Sequence, residues 1–226
     1  WIWQGLLSGT ILVAHDGSYI KEVAADVCSA AVMIYCSRTT QTCTCTIVEK
    51  SPLAGSYRGE ILGAILAQLI LRAASLGIIG PFPVLQEDCD NSGVVIHGNN
   101  YLKPLPTSQP QADVLRVMKT LISRQTFLTK FVYVQSHTDK LKPLSECTPK
   151  ELMNISVDDL AQSALRQSSP SGEFFDGNFP HEDFIITMRG IKVTGPVHDA
   201  LERHWGSSEA RRFFDQKHIV SSHNFD

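Results

Sequence analysis

The chain reads as an α/β domain, on three observations. Three strand-like runs joined by short, turn-rich links open the sequence. Stretches with helical apolar spacing then alternate with two further strands. Acidic residues stand at the ends or openings of three of these elements and inside a fourth, the last helix. Residues 10–19 (Thr-Ile-Leu-Val-Ala-His-Asp-Gly-Ser-Tyr) form the first strand, Ser29–Cys36 the second and Thr42–Glu49 the third, which alternates polar and apolar residues. The short links favour an antiparallel meander. Ser51–Ser56 is a loop before a long helix over Arg58–Ser75, which residues 77–83, bounded by Gly77 and Pro83, bring to a stop.

Val84–Asp90 is the fourth strand, Ser92–His97 a short helix and Asn99–Pro110 a proline-containing loop. In Ala112–Arg124 apolar residues fall at 114, 115, 118, 121 and 122, a helical spacing, and Phe127–Gln135 makes the fifth strand. Thr148-Pro149-Lys150-Glu151 starts the next helix, with Thr as the cap, Pro in the first turn and Glu three residues after the cap. That helix ends near Gln167. The order is βββαβαβα, with one helix inserted between the fourth and fifth strands. These elements fill a domain over residues 1–168. Residues 169–226 form an extension: a polar linker, a hairpin around Arg189-Gly190 and an amphipathic helix over Val197–Gln216.

Composition places the chain among ordinary globular proteins, with 43% hydrophobic and 19% charged residues and a mean hydropathy of −0.03. Ile61–Leu71, the most apolar stretch, is too short to span a bilayer and reads as a buried helix. The first residues lack the pattern of a secretory signal. A start at Trp1 suggests a piece of something longer. Net charge is −3, unusual for a nucleic-acid binder. Setting aside four clustered carboxylates leaves +1, and bound cations would reverse the sign of the cleft. Six cysteines lack zinc-finger spacing, and Cys43-x-Cys45 on one strand face suits no disulfide. They read as reduced thiols of an intracellular protein, cytoplasmic or nuclear, not secreted.

The candidate site is acidic. Asp16 ends the first strand, on the face shared by Leu12, Ala14 and Ser18, and Gly17 beside it permits close approach of backbone or phosphate. Glu60 opens the long helix above a stripe of small residues, Gly63, Ala64 and Ala67, that can press on a sheet. Asp88 and Asp90 share a strand face; Asp90 is taken as the site residue, because Asn91-Ser92 starts the next helix. On the last helix only one of Asp158 and Asp159 can face the cleft, since neighbours point about 100° apart. Their helical context sets them apart from the hairpin Asp-Asp of polymerases. His137 leaves the fifth strand in a polar loop and could protonate a leaving oxygen. His15 reads as a packed or hydrogen-bonded core residue. Oxygen donors of this kind suit Mg²⁺ or Mn²⁺.

Strand-Asp, helix-Glu, strand-Asp, loop-His and helix-Asp in this order resemble the ribonuclease H family over roughly residues 9–167. Cys89-Asp90-Asn91 and Ser136-His137-x-Asp139 look most like the retroelement-encoded members. The resemblance implies a five-stranded mixed sheet flanked by helices: an antiparallel meander, with the first, fourth and fifth strands parallel. It implies that Asp16, Glu60, Asp90 and Asp158 hold two Mg²⁺ ions (or Mn²⁺), with Asp16 bridging them and His137 assisting. Asn154 precedes Asp158 by the family's four residues. Gly17, Ser18, Asn91 and Asn154 are then candidates for substrate contact. The activity implied is two-metal hydrolysis of the RNA strand of RNA–DNA hybrids, within a polyprotein carrying a reverse transcriptase. Alternatives are an exonuclease or strand-transferring nuclease of the same fold, or a catalytically silent binding or tethering module. The segment Thr138–Leu152 is longer than the compact family loop, and no Lys/Arg-rich, Trp-containing gripping helix stands out, Lys119 and Arg124 being a thin substitute.

Overall fold

The computed structural model describes residues 1–106 and 109–168, together with 174, 175, 177–179, 185, 187, 188, 191–193 and 199. The meander forms as expected: β1 (Ile11–Ser18), β2 (Val27–Cys36) and β3 (Thr42–Lys50) pair antiparallel. β4 (Leu85–Cys89) and β5 (Thr129–Tyr133) extend the sheet in parallel, giving the order β3-β2-β1-β4-β5. Parallel pairing of Ala14 with Asp88 sets the site's register. Two residues further along each chain, Asp16 and Asp90 emerge side by side at the same end of the sheet.

Helices cover both faces. α2 (Ser56–Ser75) lies on β1 and β2 and against α4 (Ala112–Ser123); Ile61, Leu62 and Ile65 share the main core with Val114, Leu115, Met118 and Phe131. α5 (Pro149–Gln167) places Met153, Val157 and Ala161 on Ala14 and Ala31. The Ser29 hydroxyl donates to the Ala161 carbonyl at 2.7 Å, tying α5 to β2. The capping box read from Thr148 and Glu151 is complete. α3 (Ser92–Asn99) follows β4, capped by Asn91 rather than by either neighbouring aspartate.

Arg58, fully buried in the first turn of α2, reaches Glu49 of β3 at 2.5 and 2.7 Å and Asp113 of α4 at 2.9 Å. A buried guanidinium requires such partners, and this one ties three elements together.

α1 (Ile2–Ser8) was not foreseen, since seven residues show no clear period; Gly9 closes it at φ 65°. Beyond α5, Thr187–Met188 pairs with Ile191–Lys192, which matches the hairpin expected at Arg189-Gly190. Phe175 pairs with Glu49, and Phe179 sits in the main core, 7% exposed. The main core therefore also takes in Phe179, which follows the expected nuclease unit. The expected helix over 197–216 lies almost wholly outside the described residues. Among those described, no helix is long and apolar enough to cross a membrane, and all six cysteines are free.

Candidate metal centre

The centre forms where β1 and α2 touch backbone to backbone. A Cβ on Gly17 would fall 2.1 Å from the Glu60 amide nitrogen and 2.2 Å from the Gly59 carbonyl carbon. A Cβ on Gly59 would lie 2.7 Å from the Ser29 carbonyl oxygen. Only two glycines permit this approach, and it delivers the first turn of α2 to the end of β1. The stripe of Gly63, Ala64 and Ala67 is buried as its composition implied, with Gly63 against His15.

Ligand oxygens of Asp16, Glu60 and Asp90 all lie within 4.8 Å of one another, so three of the four expected carboxylates converge directly. Asp158 stands beside them on α5. Its Oδ1 accepts from Gln162 at 2.8 Å, and its Oδ2 lies 3.6 Å from His137 Nδ1. Asp159 is exposed, as helix geometry required. His137, half-exposed and in the left-handed region at φ 51°, opens a short 3₁₀ turn over Thr138–Lys140. Thus the longer loop still returns this histidine to the acidic cluster.

Burial raises the Asp16 carboxyl to about 7; its hydrogen bond with Glu60 opposes the rise, while the charges of Asp90 and Asp158 add to it. Glu60 is held well above the usual carboxylate range, by burial first and then by Asp16. Asp90 is raised by burial too, against a hydrogen bond from Asn154 and the nearby charges of His15 and His137. One Glu60 oxygen, Oε2, is buried without a hydrogen-bond partner. Crowded carboxylates that resist ionising, with an orphaned oxygen among them, fit a divalent cation.

The residues expected to meet substrate have other commitments here. The space beside Gly17 is filled by α2 backbone, and its amide donates to Asp16 Oδ1 at 2.6 Å. Ser18 is 6% exposed. Asn91 Oδ1 accepts from the amides of Gly93 and Val94, at 3.0 and 3.2 Å. Asn154, 2% exposed, bonds Asp90. Asp88 turns away from the centre, to Gln86 and Lys150. Sequence reasoning missed Gly59 as the partner of Gly17. A glycine in the first turn of a long helix, directly before Glu60, was the available signal.

No family model matches the chain, and no curated protein matches it in sequence. Solved structures do match. LC11-RNase H1, isolated from compost by a metagenomic approach and solved with an RNA/DNA hybrid, aligns at TM-score 0.50 and 13% identity, over 69% of this chain and 96% of that one. The RNase H domain of PFV aligns at TM-score 0.50 and 15% identity, over 68% of this chain and 93% of that domain. The protease-reverse transcriptase of prototype foamy virus aligns at TM-score 0.50 and 14% identity, over 71% of this chain but 21% of the larger protein. The chain has the ribonuclease H-like fold. Its five-stranded mixed sheet, in the order described above, is the sheet that the sequence resemblance implied.

Proposed function

We propose that this chain is a metal-dependent endoribonuclease that cleaves the RNA strand of RNA–DNA hybrids. The observation that carries the reading is the convergence of Asp16, Glu60 and Asp90 from β1, α2 and the end of β4, with Asp158 alongside. Three carboxylates gathered against their own repulsion need a function that repays it, and cation binding does so. Asp16, Glu60, Asp90 and Asp158 would hold two Mg²⁺ or Mn²⁺ ions, which when bound supply the positive charge for water activation and for the leaving oxygen.

The chain's own groups do the rest. Asp16 is central, flanked by Glu60 and Asp90. Asn154 orients the Asp90 carboxylate by donating to it. Gln162 fixes one oxygen of Asp158 and leaves the other toward His137. His137, half-exposed and 3.6 Å from Asp158, would give a proton to the departing 3′ oxygen. Gly17, Ser18 and Asn91 would lie beside the bound substrate. The hybrid substrate is supported by the likeness to a fold captured with RNA/DNA hybrid, and contact with 2′-hydroxyls would select the RNA strand. Residues 1–168 would form the nuclease unit, with 169–226 a connector partly docked on it. The likeness to a segment of the foamy virus protein supports a place beside a reverse transcriptase in a retroelement polyprotein.

The test is cleavage of end-labelled RNA–DNA hybrid with Mg²⁺, Mn²⁺ or EDTA, beside duplex DNA and duplex RNA. Metal-dependent internal cuts confined to the RNA of the hybrid are expected. Cuts in duplex DNA, or digestion only from a 3′ end, would assign a different nuclease of this fold. No cleavage by folded protein would reject the enzyme reading.

A further inference from the structure

Directly behind the carboxylate centre lies a second group of potential ligands with different chemistry. His15, Glu60 and Cys89 are buried, and one donor atom from each lies within 4.8 Å of the others. The donors are nitrogen, oxygen and sulfur. Mg²⁺ demands near-octahedral oxygen and water, whereas Zn²⁺ takes such mixed sets in tetrahedral sites. Zinc–ligand bonds of about 2.0–2.3 Å imply ligand–ligand spacings of roughly 3.3–3.8 Å, within the observed limit.

Independent of that cluster, the buried atoms here lack partners. His15 Nε2 is buried and bonded to nothing, as is Glu60 Oε2. The other imidazole nitrogen, Nδ1, lies 2.9 Å from Glu87 Oε1. Glu87 Oε2 accepts from Gln68 Nε2 at 2.6 Å, and Gln68 Oε1 in turn accepts from Gln125 at 2.9 Å. Neither His15 Nδ1 nor Glu87 Oε1 makes a hydrogen bond, yet a carboxylate at ion-pair distance from one imidazole nitrogen is the kind of neighbour that orients metal-binding histidines. The Asn91 amide donates to Cys89 Sγ at 3.3 Å, and the thiol lies 3.7 Å from the Asn91 carbonyl oxygen.

We infer that His15, Glu60 and Cys89 form a buried site for Zn²⁺ or a similarly soft divalent cation, one that shares Glu60 with the carboxylate centre. Cys89 would bind as the thiolate, its proton passing to solvent. A filled site withdraws Glu60 from the neighbouring centre, so zinc inhibits cleavage while Mg²⁺ is saturating. This last consequence rests on the proposed nuclease activity; the site itself does not.

Cobalt(II) is the probe for the site, titrated into the intact chain and followed by absorption. One equivalent should give a thiolate-to-cobalt charge-transfer band with tetrahedral ligand-field bands. Cys89→Ser should remove the charge-transfer band. His15→Gln, which keeps every thiol, should weaken cobalt binding at least tenfold and covers the case in which the serine variant does not fold. Absence of a charge-transfer band at saturating cobalt, or its persistence in folded Cys89→Ser, overturns the site. In cleavage assays at saturating Mg²⁺, Cys89→Ser should need at least tenfold more zinc for half-inhibition; equal sensitivity overturns the inhibitory role. A cobalt band without cleavage of any nucleic acid keeps the site and removes the nuclease reading. Cleavage without the band does the reverse.

Discussion

Replacing Asp16 with Asn should make the metal-free protein more stable while removing its response to Mg²⁺. Asp16 is 4% exposed, and its pKa rises from 3.8 to about 7. The folded state therefore holds a proton that the unfolded state has released throughout that window. Stability falls as pH climbs from 3.8 to 7, and the full cost is present above 7. About three units at 1.36 kcal/mol each gives a ceiling of about 4 kcal/mol. That ceiling belongs to the Asp16–Glu60 pair, which shares a proton, rather than to one residue. Asn matches the carboxyl in shape and carries no charge. In EDTA, the variant should match wild type near pH 4 and exceed its Tm by roughly 10 °C at pH 8, taking about 2–4 °C per kcal/mol. Magnesium should close most of that gap. At a hundred times its Kd it adds about 2.7 kcal/mol to wild type, and little to the variant. Thermal melts across pH 4–8, with EDTA or Mg²⁺, read both effects. Parallel metal-free curves, or equal stabilisation of both proteins by Mg²⁺, would refute the reasoning.

Gly17→Ala puts a methyl 2.1 Å from the Glu60 nitrogen, where only backbone could yield. It should cost at least about 3 kcal/mol in urea denaturation and abolish cleavage, since α2 must lift from β1. Glu49→Ala leaves Arg58 buried without its bidentate partner and with Asp113 as its remaining carboxylate. A loss of about 3–5 kcal/mol is expected from the urea midpoint; a loss below about 1 kcal/mol would mean that Asp113 suffices. His137→Ala should lower kcat about 10²-fold and leave the Mg²⁺ dependence unchanged, because the histidine meets Asp158 from the loop side. A changed metal requirement with intact kcat would reassign it to ligand orientation.

Most elements were legible because their signals were local. Thr148 and Glu151 announced α5 through a capping box that depends on four consecutive residues. The strand ends came within about two residues, as turn residues allow. What the sequence hid is non-local. Neither the Arg58–Glu49–Asp113 network nor the burial of Phe179 leaves a periodic trace, because each joins residues far apart along the chain. The apparent boundary at 168 followed a change in composition, yet apolar residues beyond it had a core to join.

The site shows the same division more sharply. Asp16, Glu60 and Asp90 stood out because each lies at an element end, whereas Asp158 lies in the middle of its helix. Their surroundings could not be read. Gly17 beside Asp16 suggested a close approach without naming its partner, and that partner is Gly59, 42 positions later on the helix that carries Glu60. This contact fixes the separation of the first two carboxylates more rigidly than any side-chain hydrogen bond could, because neither backbone can yield without moving a whole element. The parallel register of β1 and β4 fixes the third. Asp158 has no such constraint: α5 meets the sheet through Met153, Val157 and Ala161, and the residue stays outside the tight group. Three acids held by backbone and one by side-chain packing is an arrangement that can adjust at a single position. Adjustment at Asp158, under the hand of His137 and Gln162, is where this centre would accommodate substrate and release product.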